Sequence, residues 1–164
     1  MLNSLDLKNY RNLKELRINS LGRVNLITGK NNTGKSALLE AIAIYATQGD
    51  FALIYQLLEE RGENFRRTEE SKNATESNIR ALSSMFTNRN VRFEKNDAIS
   101  IGSIENTSSG EGGFSEESVS LRFVRYVDET QKDNQGGTIS KRRIALENEI
   151  DRQLAYYKVG IEIS

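Results

Sequence analysis

Two glycines, a lysine and a serine at fixed spacing hold the most specific chemistry in the chain. Gly29-Lys30-Asn31-Asn32-Thr33-Gly34-Lys35-Ser36 matches the phosphate-loop pattern G-x-x-x-x-G-K-[ST] at every position. Gly29 and Gly34 allow backbone angles that a side chain would forbid, so successive N–H groups can turn toward one anion. Asn31 and Asn32 suit such a loop because Asn tolerates left-handed geometry better than most non-Gly residues. Lys35 has the reach to meet β- and γ-phosphates, and the Ser36 hydroxyl can complete the shell of a Mg²⁺ ion. The pattern implies a nucleoside triphosphate site in this chain or in its ancestor, with ATP and Mg²⁺ as the expected ligands. The candidate binding residues are Gly29, Lys30, Asn31, Asn32, Thr33, Gly34, Lys35, Ser36 and Ala37, with Ser36 also the metal contact.

The expected setting of such a loop is a strand before it and a helix after it, and both flanks fit. Arg23 to Thr28 reads as a short strand, and Lys35 to Thr47 as a helix whose N-terminal N–H groups and dipole face the anion. That helix is apolar nearly all round, which predicts burial between a sheet and something else. Residues 2–8 and Leu13 to Ile18 alternate and predict two paired strands around an Asn9-to-Asn12 turn. Gly49 is the expected helix stop and Asp50 the cap of a second helix over 51–61, which Gly62 ends. Phe51, Ile54, Tyr55, Leu57 and Leu58 would share one face of it. A polar loop over 63–74, with Arg61, Arg66 and Arg67 clustered, reads as a solvated stretch, the alternative being a contact with phosphate or nucleic acid; it precedes a third helix over 75–87 capped by Asn73 and Glu76. Val91 and Phe93, then Ile99 and Ile101, predict strands around Lys95-Asn96-Asp97. After a Gly/Ser loop at 105–117, Val119 to Val127 predicts a strand that pairs back antiparallel. Residues 128–137 read as a polar connection, 139–157 as either helix or strand, and Val159 to Ile163 as a last strand.

Composition excludes several chemistries. The 164 residues hold 23 basic and 23 acidic side chains, so no global charge favours nucleic acid or membrane. Without Cys or His there are no disulfides, no thiolate or imidazole metal ligands and no His-based acid–base catalysis. No apolar run approaches the roughly 18 residues of a membrane span, and no signal peptide opens the chain. The expected setting is the cytoplasm.

The first 48 residues resemble the heads of ABC-type ATPases of the SMC, RecF and OLD group and related AAA proteins. The resemblance rests on Leu5 to Leu13, Val24 to Gly29, Asn31 to Ser36 and Leu38-Leu39-Glu40-Ala41-Ile42. It implies an α/β P-loop fold: an incomplete ABC-type head over 1–164, with a mixed or antiparallel β lobe at the N-terminus and a central sheet around the loop helix. It also implies that Arg11, beside Tyr10, sits near the phosphates, and that Asn31 faces the γ-phosphate or the attacking water. A second head in a homodimer, or a missing C-terminal half, would be the partner, and DNA would be met through the complete protein.

Heads of this group also need a Ser-Gly signature segment and an apolar strand ending in Asp-Glu. Ser108-Ser109-Gly110 and Asp128-Glu129 imitate these, but Ser118 to Val127 alternates like a strand, and Arg122 and Arg125 do not suit a buried central one. The chain therefore reads as the N-terminal half of a head, binding ATP without hydrolysing it alone. Two other readings stay open. One is a degenerate nucleotide sensor or assembly module; the other is a small P-loop kinase using Arg66-Arg67 or Arg142-Arg143. A guanine-reading Asn-Lys-x-Asp is absent.

Overall fold

The computed structural model describes residues 2–63, 72–90, 92–93, 97–104, 118–132, 138–145 and 158–164. The expectations for Arg66-Arg67, Val91, Lys95-Asn96, the 105–117 loop with its Ser-Gly imitation, and 146–157 lie outside them.

Alternating sequence becomes an antiparallel sheet. Strand β1 (Leu5–Tyr10) pairs with β2 (Leu13–Ile18), from Leu5 opposite Ile18 to Tyr10 opposite Leu13. On its other side β1 pairs with β3 (Ile99–Gly102), and β3 pairs with β4 (Val119–Lys132). Strand β5 (Thr138–Ala145) runs along the far part of β4, and β6 (Lys158–Ile163) along its middle. The six-stranded order is β2-β1-β3-β4-β5, with β6 joined to β4. The first turn is tighter than expected, because Asn9 and Tyr10 stay in β1. Strand β4 is longer than its apolar pattern, because the polar residues 128–132 gain backbone partners in β5.

Helix α1 (Lys35–Ala46) lies against this sheet. Its Ala37, Leu38, Ala41 and Ile44 join Leu5, Leu7, Ile99, Ile101, Leu121 and Phe123 in one core. Burial is one-sided, contrary to expectation: Leu39 is 57% exposed. Helix α2 (Phe51–Glu60) adds Ile54 and Leu58 to the core, whereas Phe51 turns outward. The junction between the two helices follows the sequence. Asp50 accepts a hydrogen bond from the Leu53 N–H at 3.0 Å. Gly49 is left-handed, and a Cβ there would lie 2.5 Å from the Ile163 side chain. Helix α3 (Lys72–Ser83) begins before Asn73, which puts that residue inside the helix rather than at its cap. Met85 and Phe86 lie beyond its end and are still buried.

Two expected elements do not form, the first being the strand through Phe93, since residues 92–93 lie in no helix or strand. In the second, residues 23–28 run without helix or ladder pairing, and Val24 and Leu26 are 92% and 88% exposed. A strand exists through backbone partners, and none among the described residues lies alongside this segment. The central sheet expected around α1 is therefore not seen among the described residues, and the sheet that α1 covers is the antiparallel one.

Candidate nucleotide-binding site

The loop's backbone has the geometry its residue types predict. Gly29, Asn32 and Gly34 carry φ of 151°, 64° and 99°. A Cβ on Gly34 would lie 2.8 Å from Leu13 Cδ2, a side-chain end that can shift, so it is the φ of 99° that asks for glycine at position 34. No side chain caps α1, and no acidic residue occupies its first turn. The first helical bond is Leu38 N–H to Gly34 O at 2.9 Å, so the Lys35, Ser36 and Ala37 N–H groups precede any carbonyl they could bond within the helix. An uncapped helix start of this kind favours an anion.

These groups border a cavity of about 290 Å³ lined by Asn12, Asn31, Asn32, Gly34, Lys35, Ser36, Ala37 and Arg61. Lys35 Nζ donates to Gly29 O at 2.8 Å and Lys30 O at 2.6 Å, folding the side chain back over its own loop. Thr33 Oγ1 donates to Lys30 O at 2.9 Å and tightens the same turn. Ser36 is exposed, whereas the Ala37 methyl is in the core and leaves only its backbone for a ligand. Gly29, Lys30 and Thr33 shape the loop without lining the cavity.

Arg11 lies one step away. It lines a neighbouring cavity of about 460 Å³ with Asn12, Asn32, Arg61, Glu63 and Arg89, among others. Its Nε donates to Glu40 Oε2 at 2.7 Å, and its side chain is only 8% exposed. Nη1 reaches Ser84 O, and the buried Nη2 has no hydrogen-bond partner among the described residues. Four residues on this wall, Arg11, Asn32, Asn88 and Arg89, are non-glycine residues with φ between 50° and 64°. Left-handed backbone costs Arg11 and Arg89 about 1 kcal/mol each, and the two asparagines less.

Glu40 ties the area together. Its Oε2 accepts from Arg11 and from the Tyr10 hydroxyl, and its Oε1 accepts from Arg61 Nε at 2.8 Å and Nη2 at 2.5 Å. The phosphate-loop helix is thereby pinned to the end of β1 and the end of α2. Neither Glu40 nor Arg61 was assigned a role by motif. The signal was there, however: Glu40 is the lone charge in the apolar run 37–46 and must find a cation if it faces inward.

Burial raises the Tyr10 hydroxyl pKa far above its usual 10.0; Arg11 pulls it down and Glu40 pushes it up. The unfolded chain releases this proton near pH 10 while the folded chain keeps it. The contribution to stability is thus full below that pH and lost as pH rises toward the folded value. A difference titration against Tyr10→Phe at 295 nm should show the Tyr10 hydroxyl ionising only as the chain unfolds.

The acidic pair Asp128-Glu129 sits mid-strand in β4, opposite Arg143 and Arg142 of β5. A metal-holding pair belongs at a strand end beside the loop, so the imitation does not extend to structure. No group of three or more His, Cys, Asp or Glu among the described residues could hold a metal ion. No helix among them is long and apolar enough to cross a membrane.

The chain is similar to three proteins over short segments. An uncharacterized protein of Methanocaldococcus jannaschii is 39% identical over 61 residues, which are 37% of this chain and 28% of that protein. A Helicobacter pylori protein named ATP/GTP phosphatase is 48% identical over 42 residues, 26% of this chain and 11% of that protein. The DNA replication and repair protein RecF of Clostridioides difficile is 49% identical over 41 residues, 25% of this chain and 11% of that protein. The matches span less than a third of each relative. No solved structure matches the chain. The family model for the AAA ATPase domain matches residues 1–160. With nearly the whole chain inside that match, the chain belongs to the AAA ATPase domain family.

Proposed function

We propose that residues 1–164 are the ATP-binding portion of an ATPase head, and that hydrolysis depends on groups from outside them. The observation that carries this reading is the uncapped start of α1 opening with Lys35 and Ser36 onto one cavity. The loop contributes the positive ends of backbone dipoles, Lys35 balances phosphate charge, and the Asn31 amide lines the wall where the outermost phosphate would lie. Ser36 would hold a Mg²⁺ ion through its hydroxyl, and the ion would supply charge stabilisation for the triphosphate. Arg11, one cavity away and held by Glu40, would act on the nucleotide from the side.

The dependence on further groups is supported by the apolar flank at 23–28. Val24 and Leu26 stand exposed beside a groove of about 520 Å³ lined also by Leu2, Leu21, Leu38 and Ile42. A segment of strand composition without ladder partners is what the edge of a central sheet would offer to the rest of a head. The complete protein, as we read it, pairs two heads through ATP in the cytoplasm and acts on DNA, in repair or in defence against phage. The RecF relative's name supports the DNA setting.

The test is thermal. At roughly 100 times its dissociation constant, Mg-ATP should stabilise the chain by about 2.7 kcal/mol, which raises its melting temperature by several degrees. Absence of a shift overturns the binding reading. ATP turnover by the 164-residue chain at an ordinary rate, lost in Lys35→Ala, overturns the division of labour instead.

A further inference from the structure

This inference rests on the reading of residues 29–36 as a triphosphate site. A triphosphate brings several negative charges into the loop cavity, and among the residues lining that cavity only Lys35 and Arg61 are cations. Arg61 is brought there by the end of α2, where Gly62 (φ 72°) turns the chain away. It also lines the neighbouring cavity, so it stands on the wall between the two. Its side chain is 38% exposed, against 8% for Arg11.

Glu40 holds Arg61 without consuming it. Both bonds from Arg61 go to the single oxygen Oε1, through Nε and Nη2. A guanidinium has five N–H donors, so three remain for a ligand. The carboxylate serves two guanidinium groups, which leaves one positive charge in excess on this wall. Planar donors held by a carboxylate beside a phosphate loop suit a phosphate oxygen, since little rotamer freedom remains to be lost on binding.

We propose that Arg61 contacts the polyphosphate of the bound nucleotide, and that Glu40 is its positioning residue. The companion pair Arg89–Glu63, on the neighbouring cavity alone, serves as the control.

The test is calorimetric titration of the 164-residue chain with Mg-ATP, Mg-ADP and AMP. Arg61→Ala should weaken ATP about tenfold, with a loss that shrinks from ATP to AMP, and Arg61→Lys should lose less. Arg89→Ala should bind ATP as the unmodified chain does. The melting temperature of the free chain should move little in Arg61→Ala, since an exposed ion pair adds little stability. Losses from Glu40→Gln and Arg61→Ala should be less than additive, because both act through one contact. The proposal is overturned if Arg61→Ala binds ATP normally, if ATP and AMP lose equally, or if Arg89→Ala loses as much. Additive losses overturn the positioning role of Glu40. If Lys35→Ala weakens ATP and Arg61→Ala does not, this inference fails alone; if the unmodified chain does not bind ATP, the reading beneath it fails as well.

Discussion

Lys35→Ala is expected to weaken ATP binding by roughly 100-fold, from the loss of charged hydrogen bonds worth about 1.5–3 kcal/mol each. Its ammonium now satisfies two loop carbonyls, at Gly29 and Lys30, and lines the cavity in front of α1. A triphosphate entering the cavity would draw the ammonium outward or share it, trading neutral acceptors for charged ones. The free chain should barely notice the change, because these contacts lie on an exposed loop. Parallel titration with ATP and melting of the free chain separate the two effects. Unchanged affinity would remove Lys35 from the site.

Glu40→Ala acts on the other quantity. Removing the carboxylate leaves Arg11, 8% exposed, charged and without its counter-ion, and takes the acceptor from the buried Tyr10 hydroxyl. Breaking a buried pair from one side costs about 3 kcal/mol, which at this chain length lowers the melting temperature by roughly 10 °C. The double variant Glu40→Leu/Arg11→Met should recover much of that loss, since neither partner is then left buried alone. A loss under about 1 kcal/mol in Glu40→Ala would mean that the pair behaves like a surface one. The calculation applies to Arg11 and not to Arg61, whose exposed head returns to water.

Local chemistry was legible in the sequence wherever it depends on neighbours a few residues apart. The Gly49 stop, the Asp50 cap and the β1–β2 pairing all follow from short spacings, and all appear. The Asn73–Glu76 box misplaced a boundary, because α3 starts at Lys72. Segment 23–28 was misread for a different reason. Its residues favour a strand, but strand formation is decided by a partner, and no spacing within the segment reveals one. Strand β4 extends through polar residues for the converse reason: β5 supplies the partner.

The site itself was half legible. Residues 29–37 could be named from a pattern, and the structure gathers Asn31, Asn32 and Gly34 to Ala37 around one cavity. The Glu40 hub joins β1, α1 and α2 through contacts distant in sequence, which no motif encodes. Only the isolation of one carboxylate in an apolar helix hinted at it. Arg11 was expected near phosphate and lies in the neighbouring cavity, on Glu40.

The central claim is that ATP is held by the loop and the start of α1. Amide hydrogen exchange of the 164-residue chain, with and without Mg-ATP, measures this residue by residue. Binding as described would slow exchange across Gly29 to Ala37, where the N–H groups ahead of Leu38 gain phosphate acceptors, and Lys35→Ala would abolish the change. Unaltered exchange over these residues at saturating ATP, or protection located elsewhere in the chain, would contradict it.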